Sequence, residues 1–122
     1  MEFKIYTKPL SVNQYYATNY SNRGQKIYIT AKGKEYREGI VNGLKESNIT
    51  KFAGEINLEI NLLLGKKRKM DVDNCLKPLL DAFEGILYDN DSQIYSLKIT
   101  KDFGYREDAI KVKASQHIFG SK

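Results

Sequence analysis

The stretch KKRKMDVDNCLK, residues 66–77, joins two elements that together decide the fold. Before it, residues 55–64 alternate polar and apolar side chains, which predicts a half-buried β-strand. After it, apolar residues recur at helical spacing, which predicts a helix over residues 74–87. Its core stripe consists of Leu76, Leu79, Leu80, Phe83 and Leu87. The stretch is therefore a strand-to-helix junction, and it carries two carboxylates, Asp71 and Asp73.

Pro78 limits where this helix can begin. Proline lacks the backbone N–H group and is tolerated mainly near a helix start, so we expect the regular part to begin at about Cys75 to Lys77. Gly85 weakens the other end of the helix. Cys75 itself is expected to be a small core residue.

The remaining elements follow from the same periodicities. Residues 31–47 have the spacing of another helix, the first long helix in chain order, which Thr30 caps. Residues 9–25 are expected to form a long functional loop. Four further segments have strand character: residues 2–6, 27–29, 95–99 and 110–114. The order β-β-α-β-α-β-β predicts an α+β fold, a mixed sheet of four to five strands packed with two main helices.

Length and composition restrict the class of protein. The chain has 122 residues, which predicts one domain over residues 1–122. Its longest aliphatic run, Leu62 to Leu64, is far too short to span a bilayer, so we expect no membrane association. The single cysteine excludes an internal disulfide and is compatible with a reducing compartment.

The basic residues are clustered. The formal net charge is +5, with an isoelectric point near 9.2. Two clusters account for much of the excess: Lys66, Lys67, Arg68 and Lys69 in the deciding stretch, and Lys32, Lys34 and Arg37 in the first long helix. Such clustering favours a nucleic acid as the partner, although a basic run is also typical of an ordinary solvated surface.

The deciding stretch carries groups suited to phosphate chemistry. Asp71 and Asp73 are two residues apart and point the same way on an extended chain, while Asp73 and Lys77 share a helix face. Either aspartate alone could simply cap the helix. Two converging carboxylates, however, repel each other unless a cation lies between them, and Mg²⁺ prefers such oxygen ligands. The pattern therefore indicates a magnesium site beside a basic surface.

A second acidic cluster, Asp89-Asn90-Asp91, follows the second long helix. Asp and Asn are favoured in turns, so a plain helix-to-strand turn also explains these residues. If the sheet brings this turn to the first aspartate pair, three carboxylates would surround one pocket.

These motifs together resemble the signature of RusA-type Holliday junction resolvases. The resembling elements are Asp71-Val72-Asp73-Asn74, Lys77 and Asp91-x-Gln93-Ile94, preceded by the N-terminal segment Pro9-Leu10-Ser11-Val12-Asn13-Gln14-Tyr15-Tyr16 and by Ala31-x-Gly33-x-x-Tyr36-Arg37. The resemblance covers nearly the whole chain. Many relatives have two adjacent acids before x-Gln-Ile, and here Asn90 replaces the first of them.

The resemblance implies both residues and partners. It places the essential carboxylates at Asp71, Asp73 and Asp91 and the catalytic lysine at Lys77, with Mg²⁺ as the cofactor and Mn²⁺ as its alternative. It also implies a homodimer that cuts four-way DNA junctions during recombination and repair, in the cytoplasm of a bacterial or phage-infected cell. Six residues are accessory candidates: Asn74, Asp89, Asn90, Asn13, Tyr15 and Tyr16.

Two other functions are compatible with the residues alone. One is a non-catalytic DNA- or RNA-binding module, in which Tyr15, Tyr16 and Tyr20 stack on bases beside the basic run. The other is a structural protein that binds a metal only for stability. Cleavage of a junction in Mg²⁺ but not in EDTA separates the enzyme from both.

Overall fold

A computed structural model describes residues 1–67 and 69–119. Arg68, one of the predicted DNA-binding residues, lies outside the described residues. The described elements follow in the order β1 (Glu2–Ile5), α1 (Val12–Tyr15), β2 (Tyr16–Ser21), β3 (Gly24–Ile29), α2 (Ala31–Glu46), β4 (Ile56–Leu64), α3 (Val72–Phe83), β5 (Ile94–Phe103) and β6 (Ala109–Gln116).

The main sheet has four strands in the order β1-β6-β4-β5. Strand β4 pairs antiparallel with β6 and parallel with β5, and β1 pairs antiparallel with β6. The predicted α+β class and mixed sheet are therefore confirmed. One of its two central strands, β4, is the alternating segment identified from the sequence.

One face of the sheet forms the hydrophobic core. Ile56, Leu58, Ile60 and Leu62 of β4 are almost fully buried in a cluster that also contains residues of α2 and α3. The stripe of α2 consists of Tyr36, Ile40 and Leu44, and that of α3 includes Cys75, Leu79 and Phe83. Cys75 is a buried core residue, as predicted. Leu76 and Leu80 are only partly buried, so the edge of the α3 stripe remains near solvent.

The predicted loop over residues 9–25 is wrong. This segment contains the helical turn α1 and the strand β2, and β2 pairs antiparallel with β3 as a separate two-stranded sheet. The chain reverses between Ser21 and Gly24, whose φ of +106° suits a residue without a side chain. Sequence periodicity missed the hairpin because most of its side chains are polar on both faces, so the alternation of a half-buried strand is absent.

Helix α3 begins and ends earlier than predicted. Its first residue is Val72, so Pro78 is the seventh residue of the helix rather than a residue of its first turn. The helix ends at Phe83, and the chain then turns through Gly85, whose φ is +88°. Leu87 lies beyond the helix but is still fully buried.

Helix α2 is fixed at its start by the end of α1. The Thr30 side chain accepts a hydrogen bond from the Gly33 N–H group at 2.9 Å and donates to the Gln14 carbonyl at 2.7 Å. A Cβ atom at Gly33 would lie 2.6 Å from the Tyr15 carbonyl oxygen, so glycine permits this close contact. The N-terminal segment is thereby held against the body of the domain.

Candidate active site

The N-terminal end of α3 carries the first two predicted carboxylates. Asp71 is the extended N-cap residue, and Asp73 lies in the first turn, where the positive end of the helix dipole favours an acid. The expectation that both lie on extended chain is therefore wrong, because the helix begins between them. Asn74 links the two carboxylates: its N–H group donates to Asp73 Oδ1 at 3.0 Å, and its side-chain amide donates to Asp71 Oδ2 at 3.4 Å. Both aspartates are exposed.

A cleft of about 550 Å³ opens at this end of α3. The N-terminal segment contributes Ser11, Asn13 and Gln14 to one side, and Asp71 and Asn74 lie on the other. Lys8 and Lys69 also line the cleft, so Asp71 is flanked by positive charge. The structure therefore brings the N-terminal motif and the Asp71 motif, which are far apart in sequence, to one site.

The third predicted carboxylate lies at the other end of α3. Asp91 is grouped with Asp81 and Glu84, and one oxygen atom from each of the three lies within 4.8 Å of the others. Within residues 1–67 and 69–119, this is the only such group of three possible metal-ligating side chains. Asp81 follows Asp73 by eight residues, which corresponds to about 12 Å along the helix axis. Asp91 is therefore grouped with the end of α3 that lies opposite Asp71 and Asp73.

The electrostatics at this second end are unfavourable without a cation. Burial raises the pKa of the Asp81 carboxyl, and the neighbouring Glu84 and Asp91 raise it further. Two groups offset part of this cost, because Asp81 accepts hydrogen bonds from the Tyr16 hydroxyl and from Lys77 Nζ, the latter at 3.2 Å. Three carboxylates this close are a suitable oxygen donor set for a divalent cation.

Lys77 lies between the two ends of the helix. It is four residues from both Asp73 and Asp81, and the structure pairs it with Asp81 rather than with Asp73. Its Nζ atom also lies 5.6 Å from the centre of the Tyr16 ring. The side chain is largely exposed, so it remains accessible to a phosphate group.

The turn before β5 shows why the residues around Asp91 differ in role. Asp89 forms an ion pair with Lys51 at 2.6 Å, and Asn90 caps the following turn by accepting from the Ser92 N–H group at 2.8 Å. Gln93 accepts from the backbone of Asp89 and donates to the carbonyl oxygens of Phe52 and Gly54. Gln93 is therefore the residue that fixes the turn and leaves Asp91 directed towards Asp81.

The other predicted residues are distributed around these two ends. Tyr15 is fully buried against Tyr16 and Tyr36, which rules it out as an exposed stacking residue. Lys66 and Lys67 are exposed just before Lys69 of the cleft, and Lys34 and Arg37 are exposed on α2. Lys32 lines a second cleft of about 420 Å³ that shares Lys8 and Gln14 with the first.

Sequence reasoning missed Asp81, Glu84 and the hydrogen bond from Tyr16. The spacing of Lys77 and Asp81 was a usable signal, because oppositely charged residues four apart on a helix are neighbours. The proximity of Glu84 to Asp91 had no comparable signal, since it depends on how the chain returns to the sheet after α3.

Carboxylate groups at both ends of one helix, beside a cleft lined by lysines, are groups that a metal-dependent nuclease uses. The family model described as Endodeoxyribonuclease RusA matches residues 8–114. The chain therefore belongs to the RusA family, whose members are metal-dependent endodeoxyribonucleases that resolve Holliday junctions. No curated protein matches the chain.

Family membership decides between the functions left open by the sequence. The non-catalytic binding module and the purely structural metal protein are both set aside, because the family is one of enzymes. In the part of the chain that the structure describes, no helix has the length and apolar character needed to cross a membrane.

Proposed function

We propose that this protein resolves four-way DNA junctions by Mg²⁺-dependent hydrolysis of phosphodiester bonds, in recombination and repair. The observation that carries the proposal is the family match together with the placement of its acidic motif in a lysine-flanked cleft. A bacterial or phage-infected cytoplasm is the setting we infer from the family resemblance.

The side chains at both ends of α3 fit a magnesium ion. All the donors are carboxylate oxygens, which Mg²⁺ and, equally, Mn²⁺ accept as ligands. The raised pKa of Asp81 supports this assignment, because a bound cation would relieve the repulsion that its neighbours impose. When bound, the metal would supply an activated water and neutralise charge on the reacting phosphate.

We assign the metal-holding role to Asp71, Asp73 and Asp91. Asp81 and Glu84 surround Asp91 and would position it or ligate through water. Lys77 would hold the scissile phosphate, and its ion pair with Asp81 keeps it near the helix surface until DNA arrives. Asn74 orients Asp71 and Asp73 through its two hydrogen bonds.

The surface around the cleft would bind the DNA arms. Lys66, Lys67 and Lys69 precede α3, and Lys32, Lys34 and Arg37 lie on α2, so positive charge borders the cleft from two elements. Arg68 belongs to the same basic run in the sequence. These residues would contact phosphates and therefore supply affinity without sequence preference.

We further propose a homodimer that forms along β5. This strand lies at the edge of the sheet, its partner among the described residues is β4, and Tyr95 to Lys98 are exposed. Two such edges can pair antiparallel around a two-fold axis, which matches the symmetry of a four-way junction.

The direction of β5 gives this arrangement a further consequence. The strand begins three residues after Asp91, and near its other end Lys101 donates to the Met70 carbonyl beside Asp71. Antiparallel pairing would place the Asp91 end of one protomer beside the Asp71 end of its partner. The two carboxylate groups that one protomer separates would then meet across the dimer.

A cleavage assay on a synthetic four-way junction tests the proposal. We expect paired incisions in Mg²⁺ and none in EDTA, with a linear duplex of the same arm sequence left uncut. Binding of the junction without cleavage under any divalent cation would contradict the proposed activity.

A further inference from the structure

The β2–β3 hairpin extends away from the body of the domain. All residues from Thr18 to Tyr28 are exposed, and the hairpin forms its own sheet rather than joining the main one. Despite this, it carries three large apolar side chains: Tyr20, Ile27 and Tyr28, with exposed fractions of 76%, 65% and 48%. Exposed apolar groups clustered on a projecting element mark an interaction surface.

Two of these side chains lie on the face that continues from the active site. Side chains alternate along a strand, so Tyr16, Thr18 and Tyr20 share one face of the hairpin. Their cross-strand partners Ile29, Ile27 and Gln25 lie on the same face, and Tyr28 lies on the other. At its base, this face contacts the candidate site directly, because the Tyr16 hydroxyl donates to Asp81.

The length of the hairpin sets its reach. From Tyr16 to Tyr20 the strand extends by about 13 Å, which is close to four nucleotide steps along DNA. A nucleotide strand that lies across Lys77 and Asp81 would therefore meet Ile27 and then Tyr20 within a few nucleotides of the cut.

The charge of the N-terminal part of the chain indicates which kind of molecule binds the hairpin. Between Glu2 and Glu35 the sequence has no acidic residue, and its basic residues are Lys4, Lys8, Arg23, Lys26, Lys32 and Lys34. Arg23 lies at the tip of the hairpin, and Lys26 lies in β3. Such a surface repels a second copy of itself and complements a polyanion. Nucleic acid is the polyanion that also offers flat apolar groups, because aromatic side chains stack on its bases.

We propose that the β2–β3 hairpin is a DNA-engaging arm, with Tyr20 and Ile27 packing on unstacked bases at the branch point. Arg23 and Lys26 would hold the adjoining phosphates. This proposal rests on the proposed function, since it assigns the hairpin to the same branched DNA. It explains how the enzyme prefers a branch, where bases are easily unstacked, over continuous duplex.

Replacement of both apolar side chains tests the arm. The double variant Tyr20→Thr, Ile27→Thr changes exposed residues to one that suits a strand, so the fold should be retained. We expect its affinity for a four-way junction to fall about tenfold or more, and its affinity for linear duplex to stay unchanged. Tyr28→Thr, on the opposite hairpin face, and Tyr6→Thr, outside the hairpin, are matched controls that should behave like the wild type.

Photocrosslinking gives a second readout that does not depend on affinity. With 4-thiothymine at the branch point, we expect the wild-type protein to crosslink within residues 16–29. Suppose that the wild type prefers the junction, that the double variant binds it equally well, and that the crosslinks lie outside residues 16–29. This result would overturn the proposed role of the hairpin but leave the proposed function intact. A wild type that does not distinguish junction from duplex would overturn the proposed function as well. A change of oligomeric state in the double variant would assign the hairpin to self-association and also overturn the arm.

Discussion

The two ends of α3 carry the same chemical groups in different surroundings. At the N-terminal end, Asp71 and Asp73 are exposed and lie near the positive end of a helix dipole that favours them, and Asp71 lines an open cleft. At the C-terminal end, Asp81 and Glu84 are half-buried and lie close to Asp91, and burial together with these two neighbouring carboxylates raises the pKa of Asp81. At the second end, a bound cation would offset the repulsion among the three carboxylates.

This contrast suggests different explanations for the carboxylates at the two ends of α3. An exposed acid pair at a helix start has a purely structural explanation, so its catalytic role rests on the motif. Three carboxylates with oxygen atoms within 4.8 Å of one another are a donor set that suits a divalent cation. Substitutions at one end at a time therefore distinguish the two roles.

The largest effect is expected from removing a metal-holding charge at either end. Asp73→Asn and Asp91→Asn should each reduce junction cleavage about a thousandfold or more, because metal activation has no substitute in the site. Junction binding should remain near normal, since neither residue is a positively charged side chain that would contact DNA phosphates. Gel-shift and cleavage assays on one preparation measure both, with Glu107→Gln, an exposed acid in the β5–β6 turn, as the control. Normal cutting by either variant would remove that residue from the site.

A smaller effect is expected from the basic run before α3. Joint neutralisation of Lys67, Arg68 and Lys69 should weaken junction binding and flatten its salt dependence. For each DNA phosphate that these residues no longer neutralise, the slope of log K against log salt should fall by about 0.9 on duplex arms. Binding titrations across a range of salt concentrations measure this slope. An unchanged slope would show that the run is only a solvated surface.

The repulsion at the C-terminal end predicts a stability effect of the opposite sign. The raised pKa of Asp81 means that its ionisation costs the folded state free energy above that pKa, and nothing at a pH below its unfolded pKa. Asp81→Asn should therefore raise Tm at pH 7 in EDTA, with the gain shrinking as pH falls towards about 4. The Mg²⁺-induced rise in Tm should shrink in the same variant. A lower Tm at pH 7 would show that its bonds with Tyr16 and Lys77 outweigh the repulsion.

The smallest effect is expected from Asp89, which lies two residues before Asp91 in the sequence. Asp89→Asn removes an exposed ion pair with Lys51, which is expected to contribute less than about 1 kcal/mol. Cleavage and its Mg²⁺ dependence should stay within about twofold of the wild type, in contrast to Asp91→Asn. If Asp89→Asn abolished cleavage and Asp91→Asn did not, the third metal ligand would be Asp89 rather than Asp91.

Much of the fold was predictable because it rests on local periodicity. The alternation of β4 and the helical stripe of α2 are properties of consecutive residues, and both elements appear where the pattern predicts them. The hairpin was not predictable in this way, since residues 18–28 are exposed and have no buried face to set a period. The start of α3 was misjudged because surrounding packing tolerates Pro78 in its second turn.

The candidate site divides in the same way. Asp71, Asp73 and Lys77 are neighbours in sequence, so the motif identified them together. Their relation to Asp91 depends on where the chain returns to the sheet, and the structure groups Asp91 with Asp81, a residue two helical turns after Asp73. Family resemblance named the residue, but only the tertiary structure showed its neighbours, Asp81 and Glu84.

The most direct test of the account mixes two inactive variants. Asp73→Asn and Asp91→Asn chains, coexpressed to form mixed dimers, should regain nicking of a four-way junction in Mg²⁺. In a mixed dimer, one site would receive both substitutions and the other would keep Asp73 of one protomer and Asp91 of the other. With half of the dimers mixed and one site intact in each, we expect about a quarter of the wild-type nicking rate. Two variants that stay inactive when mixed, while mixed dimers form, would contradict a metal site that joins the two ends of α3 across the dimer.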